Sequence, residues 1–274
     1  MIDVNGTLLL VGAGKMGGAM LSGWLENGLD AAQVLVQDPG PPPEIATLLQ
    51  RYAITPASSF ENLAAGPDVI VLAVKPQVMR NVLPSVVPHV APDTLVISVA
   101  AGTTVASLNK FLPSDIAIVR AMPNTPSAVG RGITGAYPTT HVTDAQRALC
   151  DALLRAVGQV VWVESERQID AVTGVSGSGP AYVFHLVEAM AAAGVREGLP
   201  QDVAMQLARA TVEGAGELLF RSDETAQTLR RNVTSPGGTT AAALNVLMDE
   251  ANGMPPLLAT AIHAARKRAE ELAD

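Results

Sequence analysis

Two glycine-rich stretches stand far apart in this 274-residue chain. Near its start lies Gly12-Ala13-Gly14-Lys15-Met16-Gly17, and near its end VTSPGGTTAAALNVL runs from Val233 to Leu247. Each leads into an apolar, helix-like stretch. A helix N-terminus presents free backbone N–H groups and the positive end of the helix dipole, so each is suited to hold an anion.

The first stretch has the form G-x-G-x-x-G. It follows a β-rich run, opens a helix, and has an acidic residue, Asp38, 21 positions beyond Gly17 at the end of the next β-rich run. That context is what a dinucleotide site requires. Gly12 permits the tight turn, Gly14 lets backbone approach a pyrophosphate, and Gly17 lets helix and strand pack closely; Ala13, Lys15 and Met16 complete the loop. The expected cofactor is NADPH or NADH. Asp38 would accept hydrogen bonds from the adenosine ribose and repel a 2′-phosphate, which favours NADH, although Pro39 directly after it bears on where the carboxylate aims. Ligands of open α/β sheets lie at the carboxyl ends of strands, so Ala73-Val74-Lys75-Pro76, Ala100-Ala101-Gly102 and Asn124 are expected on the rim. Lys75 would neutralise phosphate or guide the nicotinamide end.

These loops need a frame. From residue 7 to about 163, short β-rich runs alternate with helical stretches: 7–12, 33–38, 68–74, 94–100, 115–122 and 159–164. Most are continuous apolar runs, as expected of strands covered by helices on both faces. The pattern predicts a parallel, doubly wound, Rossmann-like sheet over 1–164. After Glu164 only helical stretches follow, near 166–173, 180–196, 201–221, 224–232, 240–250 and 255–272. The fold class is thus α/β, with an all-α domain over 165–274. Within 171–195 only Glu188 carries a formal charge. So apolar a helix must be buried nearly all round, most easily against a second subunit.

Composition narrows the function further. Apolar residues make up 48% and charged residues 16%, yet no run approaches the roughly 18 uncharged apolar residues of a membrane span. No membrane association is expected. Net charge is −8, and the basic clusters Arg230–Arg231 and Arg266–Arg268 read as solvated helix ends, so nucleic acid is not an expected partner. The single cysteine, Cys150, excludes an internal disulfide and a cysteine metal cluster; no metal site and a cytoplasmic location are expected.

Dehydrogenases that oxidise alcohols need a protein base, commonly lysine or histidine. No lysine lies between Lys110 and Lys267, and His141, His185 and His263 fall outside catalytic-looking loops. Hydride transfer to a carbon–nitrogen double bond needs less acid–base help, because a protonated imine is already electrophilic. Hydroxyls and backbone amides suffice to hold such a substrate.

LRRNVTSPGGTTAAALNVLMD (229–249) resembles the signature of the pyrroline-5-carboxylate reductase family, as do VTGVSGSGPAYVF (172–184), LAVKP (72–76), SVAAGTT (98–104) and RAMPNTP (120–126), in the family's order. The resemblance spans essentially the whole chain and implies reduction of 1-pyrroline-5-carboxylate to L-proline, the last step of proline biosynthesis, by hydride from NAD(P)H. It implies that Ser235, Gly237, Gly238, Thr239 and Thr240 bind the substrate, with the amides around Gly237–Thr239 receiving its carboxylate and Thr240, the catalytic residue, hydrogen-bonding the ring nitrogen. It also implies a homodimer, or a higher assembly of such dimers, in which the second loop of one chain serves the first loop of its partner. Two rivals differ in what they need. A related two-domain dehydrogenase acting on a hydroxy acid would need a base, or it would act on another imine; a non-catalytic dinucleotide-binding protein would need neither Thr240 nor a second anion loop.

Overall fold

The computed structural model describes Ile2, residues 4–60, Leu63 and residues 66–272. Among these residues it contains one seven-stranded sheet: β1 (Leu8–Val11), β2 (Val34–Gln37), β3 (Val69–Leu72), β4 (Leu95–Ser98), β5 (Ala117–Met122), β6 (Gly132–Pro138) and β7 (Gly158–Trp162). The strand order is β2-β1-β3-β4-β5-β6-β7. Helices α1 (Lys15–Glu26), α2 (Pro43–Arg51), α3 (Pro76–Val86), α4 (Val105–Leu108), α5 (Asp144–Arg155) and α6 (Gln168–Val172) accompany it.

The strands lie in the expected runs, with one correction. The sheet is not wholly parallel, because β6 pairs antiparallel with β5 and only then parallel with β7. Its sequence, GITGAYP, carries two glycines and a proline and did not read as a strand. The connection from β5, built around a 3-10 turn at Thr125–Val129, is too short for a parallel crossover, which takes a dozen or more residues.

Strand burial explains the apolar runs. Leu8, Leu9, Leu10 and Val11 are all fully buried. Leu8 and Leu10 join Met20, Leu21 and Trp24 in one cluster, while Leu9 and Val11 join Met79, Leu83 and Val86 in another. Successive side chains point to opposite faces, so one run feeds two cores. Each fully buried leucine contributes about 1.5–3 kcal/mol. Trp24 adds a hydrogen bond from Nε1 to the Leu153 carbonyl, 2.8 Å, tying α1 to α5.

The chain divides into two compact units: Met1–Gly177 with Ala265–Asp274, and Ser178–Ala264. Thus α6 and the π turn after it (Thr173–Gly177) cluster with the sheet. The second unit holds α7 (Gly179–Arg196), α8 (Gln201–Arg221), α9 (Ala226–Asn232), α10 (Thr239–Leu247) and the first part of α11 (Met254–Leu272). Helices α7 and α8 pack through small residues, the cluster being Ala191, Ala204 and Ala208 with Val187 against it. Helix α7 is not buried all round within the single chain, contrary to its composition: Phe184 is 65% exposed, and Val183, Leu186, Met190 and Val195 are exposed as well. No helix among the described residues is long and apolar enough to cross a membrane.

Candidate functional site

The carboxyl ends of the five consecutive parallel strands are level. Register pairs Gln37, Val11, Leu72, Ser98 and Arg120 across β2, β1, β3, β4 and β5. The chain order reverses between β1 and β3, and the crevice of a doubly wound sheet opens at such a point. Gly12 and Ala73 stand there.

Each glycine of the first loop has its own reason. Gly12 has φ +92°, and a Cβ on it would lie 2.7 Å from Val74 Cγ1 and 3.0 Å from the Ala73 carbonyl. A Cβ on Gly17 would lie 2.0 Å from the Gly12 carbonyl oxygen, so helix and strand can approach only because it is absent. Gly14 differs, since a Cβ there would meet nothing within 4 Å. The protein's own packing does not demand this glycine. The open space in front of it fits a ligand that presses on the backbone, and Gly14 is the N-cap of α1 with no side-chain cap and no acidic residue in the first turn. Those are the features a pyrophosphate needs. Lys15 is exposed beside it, Met16 is half-buried, and Ala13 is buried.

Asp38 is turned toward this loop. Ala13 N–H donates to its Oδ2 at 2.7 Å, and Gly40 N–H to its Oδ1 at 2.8 Å. Pro39 therefore does not swing the carboxylate away; the Asx contact to Gly40 folds the backbone so that it faces the glycines. Of the other expected rim residues, Ala73 and Val74 lie just beyond β3 and are half-buried, while Lys75 is exposed as the N-cap of α3 and Pro76 opens that helix. Beyond β4, Ala100 is buried, Ala101 exposed, and Gly102 has φ +73°.

Asn124, expected on the cofactor rim, spends both ends of its side-chain amide inside the sheet unit. Its Oδ1 accepts from Ile133 N–H at 2.9 Å and its Nδ2 donates to the Ser176 carbonyl at 3.1 Å. Near it lies a charged cluster that sequence reasoning missed. Arg120 of β5, only 3% exposed, donates from Nη1 to Glu166 Oε1 and from Nη2 to Asp170 Oδ1, each at 3.1 Å. The same Glu166 oxygen accepts from Val105 N–H at 2.8 Å. A signal was present, because an arginine inside IAIVRAM must find buried acids. Cys150 takes no part in this chemistry: burial, with the neighbouring Asp151 charge, pushes its thiol far above the usual range. His185 pairs with Glu188 one turn along α7, at 3.0 Å.

The second loop lies in the helical unit, between α9 and α10. Thr234 Oγ1 donates to the Arg230 carbonyl at 2.6 Å and closes α9. Gly238 N–H returns to the Ser235 carbonyl at 3.1 Å, forming a turn around Gly237, whose φ is +69°. Gly238 is then the N-cap of the nine-residue α10, again with no side-chain cap. Ser235, Gly237 and Thr239 are exposed, and Gly238 and Thr240 half-buried. Thr239 and Thr240 are the first two residues of α10, so amides and hydroxyls cluster at its positive end.

The comparisons divide along the chain. Residues 166–272 match the family model described as pyrroline-5-carboxylate reductase dimerisation, and residues 7–102 match one described as NADP oxidoreductase, coenzyme F420-dependent. The chain is 41% identical to a pyrroline-5-carboxylate reductase of Pseudomonas aeruginosa, over 97% of each chain, and 37% identical to that of Escherichia coli, over 96% of each. Among solved structures, a pyrroline-5-carboxylate reductase from Coxiella burnetii superposes with a TM-score of 0.89 at 35% identity, covering 98% of this chain and 99% of that one. A Plasmodium falciparum pyrroline carboxylate reductase with NADP bound gives 0.80 at 29% identity, covering 100% of each.

Proposed function

The chain belongs to the pyrroline-5-carboxylate reductase family, and from that premise we propose how its own residues reduce 1-pyrroline-5-carboxylate to L-proline with NAD(P)H. When bound, the dihydronicotinamide would supply the hydride that the carbon of the ring C=N accepts. Gly12, Gly14 and Gly17 with the amides of Lys15 and Met16 hold the pyrophosphate at the start of α1, while the Ala13 amide holds Asp38 beside it. Residues 73–76 and 100–102 rim the cofactor. The amides around Gly237 and Thr239 receive the substrate carboxylate, the Gly238 amide and the Ser235 carbonyl close the turn that presents them, and the Thr240 hydroxyl hydrogen-bonds the ring nitrogen, whose added proton comes from water. Neither step needs a lysine or histidine base. The observation that carries this reading is the second uncapped, glycine-opened helix start, because a dinucleotide alone needs only one.

Asp38 further points to NADH as the preferred form. Two backbone hydrogen bonds hold its carboxylate at the edge of the glycine loop, where a 2′-phosphate would meet negative charge. The apolar faces of α7, α8 and α10 fit a second copy of the chain, giving a homodimer in the cytoplasm, with dimers able to assemble further. The two loops that complete one site come from different chains. The test is direct: purified protein is mixed with 1-pyrroline-5-carboxylate and NADH or NADPH, nicotinamide absorbance is followed, and proline is identified as product. Cofactor binding without turnover, or turnover only of a hydroxy acid, rejects the reading.

A further inference from the structure

Strand β5 and its exit loop carry two buried polar side chains with no place in the steps above. Arg120 sits in an otherwise apolar strand. Burying charge is costly, and well-packed apolar residues often give equal or greater stability, so the buried Arg120 and Asp170, joined by the half-buried Glu166, call for a role beyond adhesion. Their connections suggest it. One oxygen of Glu166 joins Arg120 to Val105 N–H, just after the loop Ala100–Thr104, whose turn is closed by Thr103 N–H on the Ala100 carbonyl at 3.2 Å. The upstream end of that loop is held by β4. Its downstream end is held through Glu166.

Asn124 serves a different loop. It links Ile133 N–H to the Ser176 carbonyl inside the π turn, a backbone form that leaves a carbonyl to be satisfied from outside the helix ladder. The turn is also pressed against β5, since a Cβ on Gly177 would lie 2.7 Å from Met122 Cε.

Resting on the function proposed above, we infer that β5 positions two walls of the hydride-transfer site by separate polar clamps. Arg120, acting through Glu166, positions the cofactor-side loop Ala100–Val105. Asn124 positions the turn at Ser176–Gly177, on the substrate side. All are positioning residues, not catalytic ones.

Separate clamps should separate in measurement. Glu166→Ala should raise the dissociation constant of NADH, read by fluorescence titration, about 5- to 20-fold, with kcat at saturating cofactor nearly unchanged. Glu166→Gln keeps an acceptor for Val105 N–H and should stay within about threefold of the natural protein. Asn124→Ser, too short to reach Ser176, should lower kcat about 10- to 100-fold at an unchanged NADH dissociation constant, as small misplacements of a reacting partner do. It should also speed backbone amide exchange across 173–178. If Asn124→Ser does not fold, Asn124→Asp keeps the acceptor for Ile133 and turns the donor to Ser176 into a carboxylate oxygen that repels its carbonyl, with the same expectation. An unchanged NADH constant in Glu166→Ala, unchanged exchange across 173–178, or parallel losses of binding, kcat and melting temperature in both variants would overturn the inference. Should the natural protein not reduce the substrate at all, the functional reading falls, while titration and exchange still judge the two clamps.

Discussion

The two glycine loops use the same residue for different purposes. In the first, Gly12 and Gly17 are demanded by the fold, one by its φ and by the Ala73 carbonyl, the other by the oxygen of Gly12 itself. Only Gly14 faces open space. In the second, Gly237 is demanded by its φ of +69°, a Cβ on it would meet nothing within 4 Å, and one on Gly238 would meet Ser235 of the same turn. The first loop is therefore a piece of core architecture with one residue left facing open space. The second is a surface turn closed by the Gly238 amide, leading into a helix, α10, that no side chain caps. A glycine's role is read from what its missing Cβ would have met.

The most severe tests use one disabled loop at a time. Gly14→Asp puts a carboxylate into the open space before α1, so the protein should fold and yet lose all measurable activity, through repulsion of the pyrophosphate. Gly238→Asp, whose Cβ would displace the exposed Ser235 hydroxyl, should be equally inactive through repulsion of the substrate carboxylate. Refolded together in equal amounts, half the dimers would be mixed and each would hold one site from two intact loops, restoring about a quarter of the natural activity. No recovery would show that both loops of a site come from one chain.

Next in size is Thr240→Val, expected to lower kcat about 10- to 1,000-fold through a lost hydrogen bond to a group whose charge changes. Cofactor affinity, belonging to the other loop, should barely move; a change in NADH binding would break the division of labour. Asp38→Ser should shift the ratio of kcat/KM toward NADPH by about tenfold, roughly the effect of removing one close repulsion. A natural protein that prefers NADPH would show that the carboxylate held against Ala13 does not exclude the 2′-phosphate.

The smallest effect sharpens the glycine comparison itself. Gly17→Ala must push α1 off the Gly12 carbonyl and should cost about 1–3 kcal/mol, seen as a melting temperature lower by several degrees. Gly14→Ala should melt with the natural protein or slightly above it, since its backbone conformation suits alanine.

Much of this was open to reading along the chain, for a physical reason. The strand–loop–helix unit around Gly12 runs only from Leu8 to Glu26, and its apolar run, turn glycines and helix start are local choices of torsion and burial. The VTSPGGTT segment is local in the same way, so both glycine loops and the helix starts behind them could be placed from residue types and spacing alone. Strand β6 could not, because GITGAYP becomes a strand only by pairing with β5 and β7. Neither could the apolarity of α7 say whether its own chain would bury it; the single chain leaves Phe184 open. Asp38 was identifiable as an acid at a strand end, but its aim depends on Ala13, 25 positions away. The Arg120 cluster joins residues 46 and 50 positions apart. Torsional preference and periodicity are carried by neighbours in sequence and can be read there. Which distant hydrogen-bonding groups meet is decided only when the sheet brings its strand ends level.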